Sequence, residues 1–141
     1  MSSDTAQSLR IILIEDEPSL VSLYSFGLKK LGEVHSASTK LDAIHLLEQA
    51  AAEQQKVDVI LLDLILPGDH TLAVKYSDRV GFEVLEWIRQ QKYYELVPVI
   101  VMTNLDSGED RRLAEQLGAN GYIVKSNVVP RQIIEEIKAV L

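Results

Sequence analysis

The stretch Val57-Asp-Val-Ile-Leu-Leu-Asp-Leu-Ile-Leu-Pro-Gly68 constrains the fold more than any other part of this chain. It is an apolar run rich in β-branched residues, closed by the turn pair Pro67-Gly68. A short run of this kind reads as a strand buried on both faces, as in a parallel sheet covered by helices on each side. Asp63 is the polar residue near its end. In open α/β sheets the carboxyl ends of the strands form the ligand crevice. A carboxylate buried there without a partner is costly. Asp63 therefore either meets a cation or hydrogen-bond donors at the crevice, or it caps the following loop by the ordinary turn preference of Asp.

The other strand ends bear on that choice. Leu9-Arg-Ile-Ile-Leu-Ile14 is a second buried run, and it ends in Glu15-Asp16-Glu17 and Pro18. Proline suits the first turn of a helix. Leu20, Tyr24, Leu28 and Leu31 recur at helical spacing, and Gly32 is expected to close that helix. Acids at a helix start are partly explained by the macrodipole alone, for Glu17 above all. Glu33–Ala37 is a weak strand candidate. Ser38 or Thr39 then caps a helix whose apolar stripe is Leu41, Ile44, Leu47 and Ala51. After the central run, about a dozen residues, Asp69 to Val80, separate Pro67-Gly68 from Gly81 and the helical stripe Phe82, Val84, Leu85 and Ile88, against a usual ~2–6 for such loops. Leu96–Met102 is a fourth strand, followed by Thr103-Asn104. A charged helix starts at Asp106, Ser107 or Gly108, with a thin apolar face at Leu113, Ala114 and Leu117. Gly118-Ala-Asn-Gly121 stops it, Tyr122-Ile-Val124 is a short fifth strand ending in Lys125, and Pro130 opens a last helix with Ile133, Ile134, Ile137, Val140 and Leu141 inward.

Strand and helix thus alternate five times over 141 residues, the size of one domain with one core. Such alternation predicts a parallel sheet with helices on both faces and right-handed crossovers. Residues 1–8 read as a flexible polar tail, 9–141 as the domain, and 69–80 as an extended loop within it. The net charge of −7 argues against nucleic acid and anionic lipid as partners. The chain has no cysteine, which excludes disulfides and thiolate chemistry. The polar start lacks a signal core, and no apolar run reaches membrane-spanning length, so a cytoplasmic location is expected. His35 and His45 are isolated and read as surface or satisfied histidines.

Parallel strands would bring Glu15, Asp16, Asp63, Thr103 and Lys125 to one edge. Acids gathered there raise each other's pKa unless a cation sits among them. Oxygen-only ligands suit a hard divalent ion, with Mg2+ the expected cofactor. A metal and a lysine around one aspartate could neutralise a phosphoryl group carried by it, a nucleophilic role that Asp carboxylates do serve.

The sequence resembles the receiver domain of two-component response regulators. The matching pieces are Ile12-Leu-Ile-Glu-Asp-Glu-Pro18, Val57–Gly68, Gly81-Phe-Glu-Val-Leu85, Pro98-Val-Ile-Val-Met-Thr103 and Gly118-Ala-Asn-Gly-Tyr-Ile-Val-Lys125. The resemblance implies a flavodoxin-like, doubly wound, five-stranded parallel sheet of order 2-1-3-4-5 in three α/β/α layers. It implies that Asp63 accepts a phosphoryl group from a sensor histidine kinase or a phosphotransfer protein, with no enzymatic activity beyond slow self-catalysed transfer and hydrolysis. It further implies that Asp16, Asp63 and the carbonyl of Ile65 ligate Mg2+, that Glu15 completes the acidic pocket, and that Thr103 and Lys125 bind the phosphoryl group. Tyr122 matches the family's aromatic switch. The output surface would be helix 4, strand 5 and helix 5, offered to a separate effector protein or to a second copy in a homodimer.

Three positions and one stretch depart from the family pattern, the stretch being that between Pro67 and Gly81, about ten residues longer than the family's loop. Lys125 is followed by Ser126 where the family has proline with a cis bond, so the next loop is expected to be held differently. Asn104 stands where a small residue is usual, and could narrow access to Asp63 or bond the phosphoryl group. Ile65 cannot position an attacking water, which predicts a long-lived phosphoryl state. An alternative reading is a pseudo-receiver that binds proteins without phosphorylation, but no acid or Lys position is missing. A haloacid-dehalogenase phosphatase would need a second carboxylate where Ile65 stands. A flavin-binding protein would need a phosphate-cradling loop where Glu15-Asp16-Glu17 stands.

Overall fold

The computed structural model describes residues 8–67 and 79–141. The elements are β1 (Leu9–Ile14), α1 (Pro18–Gly27), β2 (Gly32–Ala37), α2 (Lys40–Ala52), β3 (Val59–Leu62), α3 (Gly81–Gln90), β4 (Val99–Thr103), α4 (Gly108–Gln116), β5 (Gly121–Val124) and α5 (Pro130–Val140). The strands form one parallel sheet of order β2-β1-β3-β4-β5, as the alternation of runs predicts.

The period-2 geometry of a strand explains why the central runs are apolar throughout. Ile12, Ile14, Ile60 and Leu62 face one side and pack under Ala43 and Leu47 of α2 and Val84, Leu85 and Ile88 of α3. Ile11, Leu13, Val59 and Leu61 face the other and pack under Tyr24 of α1 and Ile133, Ile134 and Ile137 of α5. Both sets are essentially inaccessible to solvent. A third, smaller cluster joins Leu64, Phe82, Val101 and Ala114, with Leu105, Leu113 and Tyr122 against it.

Several sequence expectations need correction. α1 ends at Gly27 rather than Gly32, and Gly32 opens β2. Its backbone lies so close to β1 that a Cβ there would sit 2.0 Å from the Leu9 carbonyl oxygen. α2 buries Ala43, Leu47 and Ala50, whereas Leu41 in its first turn is 73% exposed. Thr39 is its cap, accepting from the Asp42 amide at 3.0 Å. β4 starts at Val99, after a 3-10 turn at Lys92–Tyr94, and Leu96 is 88% exposed. α5 buries its three isoleucines, but Leu141 is exposed. Of the proposed loop 69–80, only Arg79 and Val80 are among the described residues, and the tail 1–8 is described only at Ser8.

At the amino-terminal edge of the sheet, Arg89 of α3 gathers the chain. Its guanidinium donates to the carbonyls of Tyr94 (2.8 Å), Val97 (2.9 Å) and Gly118 (2.9 Å) and to Asn120 Oδ1 (2.9 Å). Asn120 Oδ1 also accepts from the Val99 amide at 2.8 Å. Five donors in a rigid fork suit such multiple carbonyl capture.

Candidate functional site: an acidic pocket at the carboxyl edge of the sheet

Strand register assembles the site. Ile14 pairs with Leu62, so the residues that follow, Glu15 and Asp63, leave neighbouring strands at the same level. The Asp63 amide still donates to the Ile14 carbonyl at 3.0 Å. Leu62 pairs with Val101, which puts Thr103 one step beyond Asp63 on the adjacent strand. Thr103 in turn pairs with Val124, so Lys125 is the first residue beyond β5. Glu15, Asp63 and Thr103 are all buried, at 2%, 5% and 0% exposure, whereas Asp16 is exposed.

Lys125 is the keystone of this arrangement. Its Nζ donates to Asp63 Oδ2 at 2.8 Å and to Glu15 Oε1 at 2.9 Å. The second oxygen of each acid takes a backbone donor: Ile65 N–H to Asp63 Oδ1 at 3.1 Å, and Glu17 N–H to Glu15 Oε2 at 3.1 Å. Burial nevertheless dominates both carboxyl groups. It pushes the Asp63 pKa up against the lowering effect of Lys125 and the Ile65 amide. The Glu15 pKa is likewise raised by burial, with the Asp63 charge adding to it and Lys125 opposing. For Lys125, burial favours the neutral amine, but the hydrogen bonds and charges of Asp63 and Glu15 outweigh it and the pKa is raised. Tyr24 lies buried on α1 close enough to sense the same three charges.

One oxygen from each of Glu15, Asp16 and Asp63 lies within 4.8 Å of the others. Three hard oxygen donors at that spacing fit a small divalent cation of the Mg2+ or Mn2+ kind. Among the described residues, Asp63 Oδ1 and Oδ2 each accept one hydrogen bond, and a carboxylate oxygen can accept more than one. A cleft of about 580 Å³ opens beside the acids between α1 and α2, lined by Glu15, Asp16, Ser36, Asp42 and His45 among others.

Thr103 Oγ1 accepts from the Leu105 amide at 3.3 Å, leaving its own proton to donate elsewhere. Tyr122 is half-buried; its hydroxyl donates to the Leu105 carbonyl at 2.8 Å, and the Arg111 guanidinium lies 4.5 Å from its ring centre. Asn104 is exposed. Ile65, two residues past Asp63, is 39% exposed. Lys125–Asn127 form a 3-10 turn, and every described peptide bond is trans. His35 lies apart from the acids, between Arg10 Nη1 (2.9 Å) and Glu33 Oε1 (3.0 Å).

The sequence reading brought the acids and the lysine to one edge but did not foresee that Lys125 bridges Glu15 as well as Asp63. It also missed Asp110, a carboxylate 7% exposed in the first turn of α4, and its partner Arg79 at 3.0 Å. Nothing in the local sequence distinguishes Asp110 from the other acids of α4.

Comparison with known proteins agrees with this geometry. The family model of the response regulator receiver domain matches residues 11–138. The phosphorylated cyanobacterial phytochrome response regulator RcpA is 27% identical, with a TM-score of 0.73 over 94% of this chain and 91% of that one. A CheY-like receiver domain protein from Methanospirillum hungatei is 26% identical, with a TM-score of 0.73 over 94% of this chain and 92% of that one. The Mn2+-bound response regulator Rcp1 is 26% identical, with a TM-score of 0.70 over 94% of this chain and 91% of that one. The chain belongs to the response regulator receiver family, a class of signalling domain with the flavodoxin-like fold. Among the described residues, no helix is long and apolar enough to cross a membrane.

Proposed function

We propose that this receiver domain carries a phosphoryl group on Asp63 and takes it, with Mg2+, from a phosphohistidine of a sensor kinase or phosphotransfer protein. The observation that carries this reading is a buried aspartate at a strand end, bonded to a buried ammonium, with two further acids in ligating range. In the transfer, an Asp63 carboxylate oxygen attacks phosphorus, the P–N bond to the donor imidazole breaks, and the imidazole leaves with its electron pair and takes up a proton. A divalent cation on Asp16, Asp63 and the Ile65 carbonyl would neutralise charge on the incoming group. Lys125, already at Asp63 Oδ2, pairs with the phosphoryl oxygens, and the Thr103 hydroxyl donates to them. Glu15 holds Lys125 in place. The phosphorylated state of RcpA and the metal-bound state of Rcp1 support the chemistry by likeness.

The added charge draws Thr103 inward and frees Tyr122 to follow, which reshapes the α4–β5–α5 surface for an effector or a second copy of the chain. Incubation with acetyl phosphate and Mg2+, followed by intact mass, tests the acceptor. The expected gain is one phosphoryl group, absent in Asp63→Asn; a gain that persists in that variant refutes the assignment. The same preparation reads the lifetime. Ile65 stands half-exposed beside Asp63, and its side chain has no polar atom to orient water. Hydrolysis is therefore expected over minutes to hours, and decay within seconds in Mg2+ would count against that role for Ile65.

A further inference from the structure

The connection that enters α3 touches both the acceptor segment and α4. Gly81 N–H donates to the Leu64 carbonyl at 2.9 Å, one residue past Asp63. Its backbone is pressed so close that a Cβ at Gly81 would fall 2.2 Å from the Asp63 carbonyl oxygen. Two residues earlier, Arg79 Nε lies 3.0 Å from Asp110 Oδ1, and the Asp110 side chain is only 10% exposed. Asp110 belongs to the first turn of α4, where Ser107 caps its amide at 3.1 Å and the helix dipole favours its charge. Between these two contacts lies the small cluster of Leu64, Phe82, Val101 and Ala114, with Leu105 and Tyr122 against it. Thus one short segment, 79–82, is bonded to the backbone after Asp63, joined through Phe82 to the cluster that Tyr122 packs against, and ion-paired to the start of α4. The Tyr122 phenol senses this pair: burial raises its pKa to about 12, and Asp110 and Arg79 are among the charges acting on it.

We propose that the Arg79–Asp110 pair is a strut that holds the first turn of α4 in its resting place and couples that turn to the state of the Asp63 segment, independently of Thr103. The proposal rests on Asp63 being the phosphoacceptor. A shift of the Asp63–Leu64 backbone moves Gly81, and with it Arg79, away from Asp110. The first turn of α4 then loses the cation that neutralises its carboxylate, and it loosens beside Tyr122. The ion pair adds to the apolar packing a charge contact with one end on each element.

Hydrogen exchange of residues 105–116 tests the strut, with and without beryllofluoride and Mg2+ as a phosphoryl mimic. Without the mimic, Arg79→Gln and Asp110→Asn should each speed exchange there roughly fivefold, the ratio equivalent to a pair worth ~1 kcal/mol. The double variant should exchange no faster than either single, because the pair acts as a unit. Peptides from α2 should not change, and the mimic should add little further in the variants while it accelerates exchange in the parent protein. Unaltered exchange in the singles, additive effects, equal acceleration of α2, or a full response to the mimic in the variants would each overturn the proposal. Acetyl phosphate labelling of the same proteins separates the two claims. A parent protein that gains no phosphoryl group defeats the acceptor reading, while the mimic-free comparison still judges whether the pair holds α4.

Discussion

Replacing Lys125 with methionine should destabilise the metal-free protein at neutral pH by about 3–5 kcal/mol, the usual loss when one partner of a buried ion pair is removed. The side chain bridges two carboxylates that are 2% and 5% exposed, so its loss leaves two buried anions without a cation. The pH dependence identifies the cause. Burial raises the folded-state pKa of Asp63 and of Glu15 above their ordinary values. The folded chain therefore binds protons more tightly than the unfolded chain, and stability from these groups falls as pH rises from the ordinary carboxylate range through the raised values. Above that window the full penalty is present; below it both acids are neutral and no cation is needed. Lys125, whose pKa is raised, contributes stability that persists at neutral pH and is lost only above the ordinary lysine range. The deficit of Lys125→Met should thus shrink on mild acidification, and Mg2+ should restore part of it at neutral pH. Urea unfolding at neutral and mildly acid pH, with and without Mg2+, measures this. An equal deficit under all four conditions would mean that the lysine stem matters through packing alone.

Gly81→Ala should cost about 3 kcal/mol, at the upper end of ordinary overpacking effects. The added methyl has no space, because it would meet main-chain atoms: the Asp63 carbonyl oxygen at 2.2 Å and Leu64 Cα at 2.5 Å. A flexible side chain could step aside, but these atoms belong to the segment between β3 and the acidic pocket. Relief requires moving either Asp63 or α3. We expect a lower melting temperature together with slower acetyl phosphate labelling, since the shifted carboxylate no longer meets Lys125 at 2.8 Å. A variant with parent stability and parent labelling rate would show that the segment yields freely.

These two residues mark the limits of what a sequence displays. Strands buried on both faces produce unbroken apolar runs, so β1, β3 and β4 stand out, and a charged residue at the end of such a run stands out with them. Glu15 and Asp63 were legible for that reason, whereas Lys125 follows the short, only partly buried β5 and was read from its place after Tyr122-Ile-Val124. Helix faces were harder. The stripe of α2 was drawn through Leu41, which solvent covers, whereas the helix packs through Ala43, Leu47 and Ala50. Alanine carries little hydrophobic signal but permits close approach to the sheet. Leu96 misled in the same way, since an apolar side chain is often exposed. Arg79 and Asp110 could not have been paired from the sequence, because thirty-one positions separate them and neither belongs to a recurring pattern. In the sequence Gly81 stood out only as the first residue of Gly81-Phe-Glu-Val-Leu85; the pressure of its backbone on Asp63 exists only in three dimensions.

Arg89 sits far from this chemistry, at the edge where the strands begin. By binding carbonyls of the turn before β4 and of the loop between α4 and β5, it fastens the bottom of the barrel-less stack like a rivet. A plate riveted along one side can flex only along the other. Under the proposed function, a movement begun at Asp63 would meet an edge of the sheet that Arg89 already holds, and is expected instead in the loops above the strands, beside α4.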